Sequence, residues 1–370
     1  MTARRFIGLA VLALAVAGCS SDRPKPTVLT PLAAKIAGRQ IWQAKVDGVR
    51  MPLAMPVRGG ALIVAGADGT VSALDLQTGR AQWTGQAGGK LSAGVGSDGR
   101  FAAVVTVDNE LVVLEGGKRL WSARLESATT TAPLVAGERV FVMGVDRAVH
   151  AFDAIDGKRI WTFQRSGEAL TLAQAGVIAA YKDTLLVGQG ATLVGLDPTK
   201  GTVRWETAVT SPRGTNEVER LNDLVGPALR LGDLVCARAF QTAVGCIAAN
   251  NATLKWSRLA GGQQALGGDA ELLAGADASD RITAWRTATG DIAWTNETLL
   301  YRSLSAPVVV GRTVIFGDVE GQVHFLDRDS GQAVLRLPTD GSPVVAPPVL
   351  AGTTVIVATR NGGIFAFRPE

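Results

Sequence analysis

The chain has 370 residues, a formal net charge of +4 and 47% apolar residues, enough to bury a sizeable core. Arg4 and Arg5 supply half of that charge and no Lys/Arg run follows, which excludes the basic stripe of a nucleic-acid binder. Glycine, at 44 residues, exceeds the usual share of about 7% without gathering in a low-complexity tract, so the excess points to many turns.

The first segment, MTARRFIGLAVLALAVAGCSSD, reads as a targeting signal: two arginines, then an apolar stretch from Phe6 to Ala17. That stretch has the length of a signal core and falls short of the roughly 20 residues that cross a bilayer. It ends in Val16-Ala17-Gly18-Cys19, which resembles the bacterial lipobox. The resemblance implies thioether lipidation of Cys19, cleavage before it, and fatty acylation (palmitate) of the new amine. Ser20, where Asp would signal inner-membrane retention, implies the periplasmic face of the outer membrane. The alternative is ordinary secretion with a chance cysteine. Several acyl chains hold where one chain binds only marginally. Residues 20–31 are rich in Ser and Pro, as a tether would be. The expected organisation is a signal peptide over 1–18, a lipidated Cys and tether over 19–37, and one domain over 38–370.

That domain is written as a repeat. The strings ALDLQTGRAQW (73–83), AFDAIDGKRIW (151–161), GLDPTKGTVRW (195–205) and AWRTATGDIAW (284–294) share one pattern. Anchors fall at Trp42, Trp83, Trp121, Trp161, Trp205, Trp256 and Trp294, with an eighth at Leu335. The spacings are 41, 38, 40, 44, 51, 38 and 41 residues, the signature of one supersecondary unit repeated. Within 130–163, TTAPLV predicts one strand, RVFVMG a second and Ala148 to Phe152 a third. Asp153 to Gly157 is a turn, and Lys158 to Phe163 a fourth strand carrying Trp161. SAPVVV (305–310) and APPVLA (346–351) repeat the first strand, where Pro fits a strand start. No amphipathic helix is seen after the signal. Four-stranded units of this period predict an all-β fold, an eight-bladed β-propeller of antiparallel blades. GGIFAFRPE (362–370) ends without a following anchor, and GRQIW (38–42) begins without a preceding unit. The N-terminal strand is therefore expected to complete the last blade. Each indole is expected to pack between blades as a structural anchor.

The ALDxxTGxxxW pattern resembles the repeat of PQQ-dependent dehydrogenases, and the whole chain, with its lipobox, resembles the BamB family of propeller lipoproteins. Residues 215–227, TNEVERLNDLVGP, are similar to the BamB segment E-[IV]-[DE]-R-L-x-D-x-D-x-x-P, with Val225 where a second Asp is usual. Leu170-Thr171-Leu172-Ala173 stands for the family's L-S-L-R-G, with Ala173 in place of Arg. The resemblance implies partner-binding residues at Leu170, Leu172, Arg220 and Asp223, contacting the POTRA domains of BamA within the BAM complex. The leucines alternate as core residues also do, and the 215–227 segment also reads as a surface loop capping a blade. The resemblance further implies a scaffold that is not an enzyme, has no cofactor and no metal, and assists outer-membrane protein folding and insertion, with contact to nascent outer-membrane proteins as an added idea. The alternatives are a PQQ-dependent dehydrogenase-like enzyme and a surface propeller lectin. A quinone site in that family uses Ca²⁺ on convergent oxygens and often adjacent Cys pairs. Here the acidic residues Asp75, Asp153, Asp197 and Asp327 fall in repeat turns, and the histidines, His150 and His324, have no ligand spacing. Cys236 and Cys246 flank a hairpin in which residues summing to 482 would pair across Gln241. In an oxidising compartment a structural disulfide is expected there rather than two free thiols.

Overall fold

The computed structural model describes residues 24–165, 171–211 and 221–369. Among them are thirty-two strands in eight four-stranded antiparallel sheets, and no helix. Blades 1 to 7 span 57–86, 96–124, 134–163, 178–208, 224–259, 267–296 and 308–338. Blade 8 joins Val349–Ala351, Thr354–Ala358 and Gly363–Pro369 to Gly38–Lys45, so the first strand of the ring completes the last sheet. Lys45 pairs with Gly363 and Gly38 with Pro369. The expected eight-bladed propeller and its closure are therefore borne out.

The burial of each blade follows from its position. The second strand is covered on both faces by neighbouring blades and reads as a continuous apolar run, as in ALIVA (61–65), buried throughout. The outer strand alternates, as in KRLWSAR (118–124), because one face meets solvent. The innermost strands are shorter than the sequence suggests. TTAPLV contributes only Leu134–Ala136, SAPVVV only Val308–Val310 and APPVLA only Val349–Ala351. All three begin after the proline, which has no N–H to donate to a ladder. Blades also crowd together near the axis: a Cβ at Gly96 or Gly267 would overlap the carbonyl of Pro133 or Pro307 in the next blade.

Every blade carries a bulge between its third and fourth strands, at the residue before the anchor. In blade 1, Ala73 faces Trp83 and Leu74 faces Ala81, so Gln82 is the extra residue. A bulge increases local twist and re-aims the side chain that follows it. Here it turns the anchor toward the adjoining blade. Trp42 donates its indole N–H to the Leu76 carbonyl at 2.8 Å, Trp121 to Ala154 at 2.8 Å, Trp161 to Pro198 at 3.0 Å, Trp256 to Thr287 at 2.8 Å and Trp294 to Arg328 at 2.7 Å. Each acceptor lies in the next blade's Asp-x-x-x-Gly type of turn. The turn glycine lies under the indole: a Cβ at Gly79, Gly201 or Gly290 would sit 2.5 Å from a ring carbon of Trp42, Trp161 or Trp256. The turn aspartates serve the turn. Asp75 accepts N–H bonds from Gln77 and Thr78 at 3.1 and 2.9 Å, and the Thr78 bonds hold its carboxyl below the usual range. The repeated eleven residues thus encode two halves of one joint, a socket at the turn and a peg at the tryptophan.

Two joints differ. Trp83 faces the two-residue Gly116-Gly117 turn and Trp205 faces the Asn-rich turn at 249–252, and neither indole has an interblade hydrogen bond among the described residues. Leu335 has no turn to meet, since the last blade is closed by the other chain end. Gly38 takes the glycine's place, and a Cβ there would lie 2.5 Å from Leu335.

Cys236 and Cys246 are directly opposed with Cα atoms 4.0 Å apart and are joined by a disulfide. The pairing from Leu234↔Ala248 to Ala239↔Ala243 keeps the expected register. The segment read as a tether is held from Thr27 onward. Thr27 N–H donates to the Leu300 carbonyl at 3.0 Å, Arg302 donates to the Thr27 carbonyl at 2.8 Å, Arg336 to the Thr30 carbonyl at 3.2 Å, and Lys35 N–H to the Val334 carbonyl at 2.8 Å. Leu29 packs among the core residues of blades 6 and 7, and Ile36 among those of blades 7 and 8.

Candidate functional site: latched loops on the upper face

Antiparallel blades divide the connections between two faces. The hairpins joining strands two and three emerge with the blade-to-blade connections, on what we call the upper face; the other hairpins, with the Asp turns, emerge on the lower face. The loop at 171–176 enters blade 4 and the loop at 221–223 enters blade 5, so both lie on the upper face. They are tied to each other through one carboxylate. Asp223 accepts the backbone N–H of Leu172 at 3.1 Å on one oxygen and Arg147 at 3.1 Å on the other. Arg147 sits in the second hairpin of blade 3 with φ of 65°, a left-handed conformation that leaves its carbonyl to accept from the Gln189 side chain at 3.1 Å. The Thr171 hydroxyl donates to the Val145 carbonyl at 2.9 Å. Three blades therefore converge on Asp223, around a cleft of about 50 Å³ lined by Thr130, Met143, Arg147, Leu172 and Asp223.

Of the sequence-derived candidates, the structure brings Leu172 and Asp223 into direct contact. Leu170, Arg220 and Cys19 lie outside the described residues. Val225, where a second acidic residue would stand, is buried and bridges Gly176, so this position joins the two loops by backbone. Ala173 is exposed at the crest. Arg147 was not found by sequence reasoning. Its only signal is a bulky cation at the tight turn of GVDRAV, where Gly or Asn is usual.

The histidines are committed within their blades. His150 Nδ1 lies 3.0 Å from the Thr162 hydroxyl. His324 Nε2 lies 2.8 Å from Asp318 and its Nδ1 accepts from Arg336 at 3.4 Å. Burial holds both imidazoles below the usual histidine range.

A family model for the outer membrane protein assembly factor BamB matches residues 31–91 and 67–296. The chain belongs to the BamB family. The BamB assembly factor of Burkholderia pseudomallei is 38% identical over 371 residues, 98% of this chain and 97% of that protein. The crystal structure of BamB from Moraxella catarrhalis superposes with a TM-score of 0.81 at 21% identity, covering 90% of this chain and all of that one. The quinohemoprotein alcohol dehydrogenase of Comamonas testosteroni shares the fold, with a TM-score of 0.65 at 15% identity over 89% of this chain and 76% of that one.

That last likeness asks whether the BamB-type ring here suits a quinone and its cation. The axial channel, about 500 Å³, is lined by Leu53, Met55, Pro133, Pro227, Val345 and Pro347, and Arg58 is the one charged side chain on its wall among the described residues. A hard cation needs several converging oxygens, carboxylates foremost. No carboxylate reaches this wall, and no group of three His, Cys, Asp or Glu converges anywhere among the described residues. The donor set does not fit that cofactor.

Proposed function

We propose that this protein is a non-catalytic, lipid-anchored subunit of the outer-membrane β-barrel assembly machinery, bound to the POTRA region of BamA and assisting the folding and insertion of outer-membrane proteins. The observation that carries the reading is the Arg147–Asp223–Leu172 latch, found in a BamB-family chain at the two loops that the family resemblance marks. Both oxygens of Asp223 are occupied within the protein, so its part is to position the loops. Leu172 and Ala173 then form the contact surface, to which the family resemblance adds Leu170 and Arg220. Loops on a rigid scaffold commonly carry binding in this way. Cys19, lipidated, would hold the ring at the periplasmic face of the outer membrane. The apolar channel wall argues against the dehydrogenase alternative, and the half-buried or buried anchor indoles leave no aromatic platform for a lectin.

Photo-crosslinkers placed at 170 and 172 in cells test the assignment. Capture of BamA from 170 and 172 is expected, with capture from 172 falling when Asp223→Ala releases the loop. Capture of some other protein in its place would end the interface assignment. Arg147→Ala should weaken capture less than Asp223→Ala, because it leaves the Leu172 amide on Asp223, and should add little to Asp223→Ala in the double variant.

A further inference from the structure

The segment before the ring reads as a free leash in sequence, yet it is bound as a strap across blade 7. It starts on the upper face, where Thr27 meets Leu300 in the connection between blades 6 and 7, and descends to Val334 at the lower end of the outer strand of blade 7. Its upper end is fixed by a buried cation. Arg302 is 1% exposed and donates to Asp318 at 2.7 Å, to Glu320, and to the Thr27 carbonyl at 2.8 Å. The loop that aims it is strained and clamped: Tyr301 and Ser303 have φ of 58° and 50°, and Asp280 accepts the Ser303 and Leu304 amides at 2.6 and 3.0 Å. Leu29 points into the core while Val28 is 87% exposed.

We infer that the upper face at the seam of blades 6 and 7 is the surface that meets the phospholipid headgroups of the membrane. The inference rests on lipidation of Cys19, as proposed above, and on the length of chain between that residue and the strap. Seven residues, Ser20 to Pro26, separate Cys19 from Thr27, a stretch that spans at most about 27 Å when extended. A leash free to residue 37 would reach about 65 Å and allow any face to approach the bilayer. The short one fixes which rim is near. The seam has the chemistry for that contact: Lys25, Val28 and the 40%-exposed Tyr301 place a cation, an aliphatic side chain and an amphipathic ring beside the exit point. Because the latched loops also lie on the upper face, two to three blades around the ring, anchor and partner surface share one side of the disc.

With Cys19 acylated and Cys236 bonded to Cys246, one introduced cysteine is the sole thiol for a fluorophore. The full lipidated protein, labelled in turn at Tyr301→Cys, Asp329→Cys on the lower face of blade 7, and Asp108→Cys on the upper face of blade 2, is bound to phosphatidylethanolamine–phosphatidylglycerol vesicles carrying a headgroup-nitroxide lipid. Quenching should be severalfold stronger at 301 than at 329 or 108. In Thr27→Pro/Leu29→Asp, which alters the strap and no blade strand, the three should converge. Even quenching in the parent, strongest quenching at 329 or 108, or an asymmetry that survives strap release would overturn the inference. The mass of the N-terminal peptide from the same sample is a separate readout. An unacylated Cys19 removes the anchor from the proposed function, whereas an acylated protein with even quenching removes the orientation alone.

Discussion

Removing one peg should loosen the ring by an amount set by its socket. Trp256 is buried, donates to the Thr287 carbonyl at 2.8 Å, covers Gly290, and is flanked by Arg258, whose Nε donates to the Gly290 carbonyl at 3.0 Å. Trp256→Ala empties that joint, at a cost of about 3–5 kcal/mol including the cavity. The ring of roughly 330 residues unfolds with an entropy of about 0.7 kcal/mol/K near its midpoint, so the melting temperature should fall by about 6 °C. Trp256→Phe keeps a ring but strands the Thr287 carbonyl, costing about 1–2 kcal/mol, or about 2 °C. Trp205 is the comparison. It is half-buried, its neighbouring turn lacks the glycine, and it has no interblade hydrogen bond among the described residues. Trp205→Ala should cost about 2–3 kcal/mol, or roughly 3–4 °C. Calorimetry, with circular dichroism in the strand region, measures all three. A loss for Trp205→Ala equal to or larger than that for Trp256→Ala would refute the account of the joint as peg, socket and hydrogen bond together.

The socket can be tested from its own side: Gly79→Ala, at φ of 68° with Trp42 overhead, should lose about 2–4 kcal/mol, whereas Gly352→Ala, at φ of 63° in open space, should lose about 1 kcal/mol, both read as melting shifts. His324, kept neutral by burial with Arg336 and Arg302 opposing a proton, binds one less proton folded than unfolded once the pH falls below its ordinary value of 6.5. Stability should therefore decline on acidification through that point, by at most about 1.4 kcal/mol per pH unit, and His324→Gln should flatten the slope of melting temperature against pH. Below the ordinary carboxylate value of 3.8 a second loss follows. Despite the opposing effect of burial, hydrogen bonds from His324 and Gln322 hold Asp318 ionised, and that contribution disappears as it protonates. Arg238, buried and pushed down to about 10 by desolvation, donates to the Ala260 and Gly261 carbonyls while its Nε and Nη2 have no partner. Arg238→Met should leave the melting temperature unchanged or raise it, and a fall of several degrees would show that the guanidinium is better satisfied than its geometry implies.

What the sequence makes legible is whatever repeats. The period locates eight anchors, the turn glycines follow from positive φ, and the unmatched ends require closure between residues more than three hundred apart. Residues that act once leave no such trace. Arg147 reaches Asp223 because blades 3 and 5 present their upper loops to one another, and no spacing in the chain encodes that approach. Arg302 and Thr27 meet across most of the chain, so a Ser- and Pro-rich stretch that looks solvated is in fact bound. The inner strands are shorter than the pattern predicts for a local reason: TTAPLV predicts a strand throughout, while Pro133, with no N–H to donate, limits the pairing to Leu134–Ala136. The candidate loops were visible only as departures from the repeat. Their mutual arrangement is not written in the chain, because the carboxylate that the family pattern marks faces inward, onto Arg147 and the Leu172 amide.

The closing sheet also sets the order of events as the chain emerges. A chain that emerges from its N-terminal end delivers Gly38–Lys45 first, but the strand it pairs with, Gly363–Pro369, arrives last. Until then blade 8 lacks its outer strand and the ring is an open arc with an unpaired edge at each terminus, a state prone to association with other exposed strands. On the proposal that Cys19 is lipidated, that early strand would wait near the bilayer for the rest of the protein to come round to it.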